Sequence, residues 1–127
     1  MKTKSQQALL KQDRSYACTG KIWIECDKEK FFGPGPVDLL RNINETGSIS
    51  KAAAAMGISY KKAWHLINQM NANAKRPLVI SQSGGEQGGG STITDDAKLL
   101  IAYYIELRKR FLSFLEKETK ELIFHFS

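Results

Sequence analysis

Apolar side chains recur with two different periods along this chain, and the change of period divides it. Ile22 and Ile24 alternate with Lys21, Trp23 and Glu25, the two-residue period of a strand over Thr19–Cys26. Asp27-Lys28-Glu29 supplies a turn, and Lys30–Phe32 can return as the partner strand, so residues 15–35 predict an N-terminal β-hairpin. GPGP (Gly33–Pro36) then breaks the chain. Pro36 suits the first position of a helix, with Val37, Leu40 and Ile43 as its buried face. Residues 1–14 are polar and rich in Gln and Lys, either a short helix or a frayed arm.

The stretch Gly47–Asn71, GSISKAAAAMGISYKKAWHLINQMN, has the grammar of two short helices joined by a tight turn. Ser48 and Ser59 stand where helix N-caps belong, offering a hydroxyl to unpaired N–H groups. Gly57 stands where the first helix, Lys51–Met56, must end. Ala52 through Ala55 keep that helix thin, so that a second can cross it closely. At 100° per residue, Tyr60, Ala63, Trp64, Leu66, Ile67 and Met70 share one apolar arc of the second helix, which assigns Trp64 to the core. Lys61, Lys62, His65, Asn68 and Gln69 share the other. This is a helix-turn-helix, an arrangement that presents one helix to a major groove.

Arg76-Pro77 forces an exit from helix. Leu78–Gln82 and Ser91–Thr94 are short β-capable runs around GGEQGGG, whose five glycines lie within seven residues. A nucleotide P-loop would need Lys-Ser/Thr opening a helix, and neither follows. After a helix-turn-helix, the loop reads instead as a wing whose bare N–H groups approach phosphates. Asp95 and Asp96 open a long helix at its positive end. Leu100, Tyr104, Leu107, Phe111 and Phe114 follow at spacings of 4, 3, 4 and 3, a heptad seam. Some ~24 residues, ~36 Å at 1.5 Å each, exceed what a compact domain of this size covers, so part of the seam is expected to meet a second copy. Leu122–Phe126, apolar apart from His125, is expected to dock onto that interface.

Charge sharpens the picture. Of 127 residues, 1–35 carry 7 basic and 4 acidic side chains, 36–76 carry 6 and 2, and 77–127 carry 6 and 7. From Thr46 to Gly85 there are five basic residues (Lys51, Lys61, Lys62, Lys75, Arg76) and no carboxylate, which points to a polyanionic partner. No apolar run approaches the ~18 residues of a membrane span, and the N-terminus lacks a signal-peptide core. Cys18 and Cys26 match no zinc or redox spacing and read as reduced, part-buried thiols. His65 and His125 are the only histidines, and neither sits in a nucleophilic, acid–base or metal pattern. The chain is expected to be cytoplasmic, without membrane, metal or cofactor, and not an enzyme.

The order KIWIE, FFGPGPVDLLRNI, GSISKAAAAMGISYKKAWHLINQMN, LV, GG, GGG, then Thr before a long helix closely resembles the N-terminal DNA-binding domain of the ModE family of molybdate-responsive regulators. More distantly it resembles the N-terminal domain of LysR-type regulators. The resemblance covers roughly Lys21 to Leu107, and its most specific blocks are ISYKKAW and GG..GGG. It implies a winged helix-turn-helix transcription regulator, dimeric through the long helix, whose second helix and glycine-rich wing face DNA. By position it implicates Ser59, Tyr60, Lys61 and Lys62 on the helix, and Gly84, Gly85, Gly88, Gly89 and Gly90 on the wing. Two positions depart from the family pattern: Pro36 replaces an Arg, and Ala97 a Gly. The oxyanion-binding C-terminal module of full-length molybdate regulators has no counterpart here, so molybdate sensing is not expected.

The fold expected is mainly α with small β elements (α+β). Residues 1–127 form one winged helix-turn-helix domain: hairpin 15–35, core 36–94, dimerisation helix 95–120. The function expected is sequence-specific binding of double-stranded DNA as a homodimer, to regulate transcription. Lys61, Lys62, His65 and Gln69 are candidate groove contacts. Lys51, Lys75, Arg76 and the wing would hold the backbone, and Ser50 and Ser59 donate to phosphates near helix N-termini. The alternative is a winged helix that docks a protein instead. The operator and any small effector are not legible.

Overall fold

The computed structural model describes residues 8–82 and 90–127. The chain divides into two compact units, Ile22–Tyr104 and the N-terminal segment through Lys21 with Ile105–Ser127. The fold is α+β, a winged helix-turn-helix that shows, among the described residues, four helices, the last of them long, and two small antiparallel hairpins.

In the first unit, β1 (Ile24–Cys26) and β2 (Glu29–Phe32) pair antiparallel with Cys26 opposite Glu29. Asp27 and Lys28 both have positive φ, the two-residue turn whose twist matches that of the strands. The strand expected over Thr19–Cys26 is shorter than its alternation implied. The Cys18 N–H already donates to Thr119 Oγ1 at 2.8 Å, so the chain just before it is engaged elsewhere. Helix α1 (Pro34–Thr46) starts two residues before the expected Pro36, with Pro34 in its first turn. Gly33 is needed for packing, because a Cβ there would collide with the Trp23 ring.

Helices α2 (Ile49–Met56) and α3 (Tyr60–Asn73) follow. Ser48 Oγ accepts from Lys51 N, and Ser59 Oγ from Lys62 N, so both caps form as the sequence indicates. Gly57, at φ 67°, closes α2 with its N–H on the last-turn carbonyls. Ala52 and Ala53 are buried where the helices pack, whereas Ala54 and Ala55 face solvent. Strands β3 (Val79–Ser81) and β4 (Ser91–Ile93) pair antiparallel, Val79 opposite Ile93, and form the base of the wing.

Helix α4 (Asp95–Phe126) has 32 residues, longer than the ~24 expected, so the apolar Leu122–Phe126 forms its last turns rather than a separate docking segment. Within the first unit, Ala97, Ile101 and Tyr104 of α4 join a core with Phe32, Leu39, Leu40, Ile43, Ile67 and Met70. Tyr104 is 2% exposed, packs edge-on to Phe32 at 5.8 Å, and donates its hydroxyl to Ile22 O at 2.8 Å. That corrects its place in the expected dimer stripe. It fills the chain's own core.

The second unit lays the N-terminal segment along the rest of α4. Leu9 N and Leu10 N both donate to Phe126 O, and Gly20 lies against the Phe111 ring. Phe111, Leu115, Thr119, Leu122 and Phe126 form the half-buried line of this part of the helix. The expected seam is therefore split. Leu100, Leu107 and Phe111 are half-buried, and Phe114 is 55% exposed on another side of the helix.

Candidate nucleic-acid interface

The turn between α2 and α3 sets which side chains face outward. Ala63, Ile67 and Met70 point into the core, and that orientation leaves Lys61, Lys62 and His65 exposed along the first two turns of α3. Ser50, Lys51, Ser59 and Lys75 are exposed as well. Tyr60, Gln69 and Trp64 depart from the arcs drawn on the sequence. Tyr60, the first residue of α3, is 55% exposed although it falls on the apolar arc. Gln69 is half-buried although it falls on the polar one.

Trp64, expected in the core, is also half-buried. Its ring meets Tyr60 edge-on at 6.2 Å. Both rings line a cleft of about 230 Å³ whose other walls are Ser48–Ser50 of the α2 entry and Ser81, Gln82, Gly90 and Ser91 of the wing base. Gly90 is exposed, and Gly84, Gly85, Gly88 and Gly89 lie outside the described residues.

The wing base is tied down by groups that the sequence did not single out. Ser91 N donates to Gly47 O at 2.9 Å, and Gln82 N to Gly90 O at 2.8 Å. The Ser81 and Ser91 hydroxyls meet at 3.0 Å. Asn71, at the end of α3, accepts from Leu78 N at 2.8 Å and from Val79 N at 3.3 Å, and returns a bond to Val79 O. It fixes where β3 leaves the helix. An Asn six residues before a Pro at a helix end was the only available signal, and it is a weak one.

Arg76 is held away from the role expected of it. Its Nε lies 2.6 Å from Asp96 Oδ2 and its Nη2 3.3 Å from Oδ1, a two-point pair at the start of α4. That hydrogen bond, with the charge behind it, lowers the Asp96 carboxyl below the usual carboxylate range and raises the Arg76 guanidinium above its usual value. A phosphate would have to displace this carboxylate. Lys51, Lys61, Lys62 and Lys75 have no ion-pair partner in the described residues. Among the described residues, no three His, Cys, Asp or Glu side chains gather to hold a metal, and no helix is long and apolar enough to cross a membrane.

Comparison with known proteins agrees with this geometry. Residues 37–98 match the family of bacterial regulatory helix-turn-helix proteins of the lysR type. The N-terminal two thirds of the chain is, more particularly, ModE-like. It is 40% identical over 86 residues to the "Molybdenum transport protein ModE" of Azotobacter vinelandii, which covers 68% of this chain and 32% of the relative. It is 40% identical over 83 residues to the "DNA-binding transcriptional dual regulator ModE" of Escherichia coli K12, covering 65% and 32%. It is 44% identical over 72 residues to the "Molybdenum-pterin-binding protein MopB" of Rhodobacter capsulatus, covering 57% and 27%. The chain spans about a third of the length of the curated relatives it matches.

Proposed function

We propose that this chain is a sequence-specific DNA-binding transcription regulator that acts as a homodimer in the cytoplasm. The observation that carries the reading is the outer face of α3, where Lys61, Lys62 and His65 stand exposed with no carboxylate nearby in sequence. In this reading the first turns of α3 enter the major groove. Ser50, Lys51, Ser59 and Lys75 hold flanking phosphates, and the glycines of the wing approach the adjacent backbone. Tyr60 contributes a ring for apolar contact with base edges, as thymine methyls receive. Gln69 is a secondary contact at most in this scheme, since it is half-buried. Residues 36–94 then read as the DNA-contacting part of one domain and the long helix as its dimerisation element. No catalysis is part of the proposal, and molybdate sensing is not carried over from the relatives.

Salt dependence tests it. Duplex fragments selected from random sequence should bind with log affinity falling linearly in log salt, by about 0.9 for each phosphate neutralised. A flat salt dependence, with no fragment enriched, would instead favour a winged helix that docks protein.

A further inference from the structure

We propose that the cleft between α1, β4 and the start of α4 binds a free aliphatic α-amino acid. The cleft measures about 330 Å³ and is lined by Arg41, Asn44 and Glu45 of α1, Ile93 of β4, and Lys98 and Ile101 of α4. That volume lies at the small end of ligand sites. None of the six side chains is among those assigned to DNA, so the proposal goes beyond the regulator reading and does not depend on it.

The lining divides into a floor and a rim. Ile93 and Ile101, each 9% exposed, form the apolar floor, and Arg41, Asn44, Glu45 and Lys98 stand exposed around it. Arg41 and Glu45 are one turn apart on α1, a spacing that allows an ion pair. Yet neither they nor Lys98 have an ion-pair partner among the described residues. Their order disfavours the pair, since a cation one turn before an anion is the weaker orientation against the helix dipole. Asn42 turns its amide back onto Asp38 O at 2.8 Å, whereas Asn44 presents its own at the cleft.

Two cations, one carboxylate and one amide around an apolar surface select the ligand by elimination. An inorganic anion would meet Arg41 and Lys98, but it would also meet Glu45 and make no use of the floor. A dicarboxylate would set its second charge against Glu45. An uncharged apolar molecule would desolvate the rim groups without pairing them. A carboxylate, an ammonium and an alkyl group on one carbon use every wall. The carboxylate lies between Arg41 and Lys98, the ammonium donates to Glu45, and the alkyl group covers Ile93 and Ile101. The Asn44 amide can donate to the one end or accept from the other.

Titration of the full chain with L-leucine, followed by calorimetry and by backbone amide resonances, tests the site without DNA. Leucine should bind saturably with a Kd of about 0.1–1 mM, as suits so small a ligand, and should move the amides of Arg41, Asn44, Glu45, Ile93 and Lys98. N-acetyl-L-leucine lacks the ammonium, leucinamide lacks the carboxylate and glycine lacks the alkyl group, so each should bind about tenfold more weakly or less. Glu45→Gln should bring leucine and N-acetyl-L-leucine to within about twofold of each other, because the group that distinguishes them is gone. Arg41→Gln should weaken leucine about tenfold. Both variants replace exposed side chains and should keep the parent's melting curve. No saturable change up to about 10 mM leucine would overturn the proposal. So would any of the three analogues, or inorganic phosphate, binding as well as leucine does. A Glu45→Gln protein that still prefers leucine to its N-acetyl form would overturn it too.

Discussion

Lys61 and Lys62 show why exposure matters more than charge count. Both project from α3 away from Ala63, Ile67 and Met70, so folding does not use them. Lys61→Ala with Lys62→Ala should leave stability within about 0.5 kcal/mol, as for ordinary surface changes. Affinity for duplex should fall, and the salt slope should shrink by about 0.9 for each phosphate that the variant no longer neutralises. An unaltered slope in titrations at several salt concentrations would remove this face from the interface. Arg76 belongs to a different case, since Asp96 holds it. Because the folded Asp96 carboxyl is lowered, the pair stabilises the protein above the unfolded carboxylate pKa of about 3.9. That stability disappears as pH falls through the lower, folded value. Acid unfolding followed by circular dichroism should therefore begin at higher pH in Asp96→Asn, by a small margin because both groups meet solvent. The charges of all four side chains were plain in the sequence. Which of them are free was not, because Arg76 finds its partner twenty residues further on.

At the scale of elements, what was legible is what is local. The caps at Ser48 and Ser59 and the stop at Gly57 act within three or four residues, and each forms where the sequence indicates. Gly57 supports a sharp expectation. Its φ of 67° disfavours any Cβ, yet a Cβ there would meet nothing within 4 Å. Gly57→Ala should therefore cost about 1–2 kcal/mol from backbone conformation alone. Gly57→Asn should cost less, because Asn enters that region more readily. Thermal melts of the two variants compare them, and equal losses would show that space rather than conformation decides the position. Helix α4 shows the opposite situation. The heptad stripe through Leu100, Tyr104, Leu107, Phe111 and Phe114 is real as a pattern, but a pattern does not say what covers it. Tyr104 is buried with Phe32, and Phe111 is met by Gly20, a partner some ninety residues distant that no periodicity announces. Trp64 misleads for a related reason: its arc is apolar, but it ends at a cleft open to solvent.

At the scale of the whole molecule, one expectation joins the α3 face to the assembly. A closed two-fold dimer carries two identical recognition surfaces related by its axis, so the DNA it prefers must present the same contacts twice with inverted polarity. Fragments recovered by repeated selection should converge on a near-palindrome. Its half-sites should be centred about one helical turn apart, ~10 bp or ~34 Å, or a whole multiple of that, so that both α3 helices meet the same side of the duplex. Inserting about 5 bp between half-sites turns one of them to the opposite side and should reduce affinity to that of a single half-site. Inserting about 10 bp restores the facing and should recover part of it. A variant that sedimentation shows to be monomeric supplies the control, since a protein that no longer dimerises should bind half-site and full operator alike. Footprints of the parent protein that protect one uninterrupted, asymmetric block, or affinities indifferent to spacing, would show that the recognition surfaces do not act as a two-fold pair.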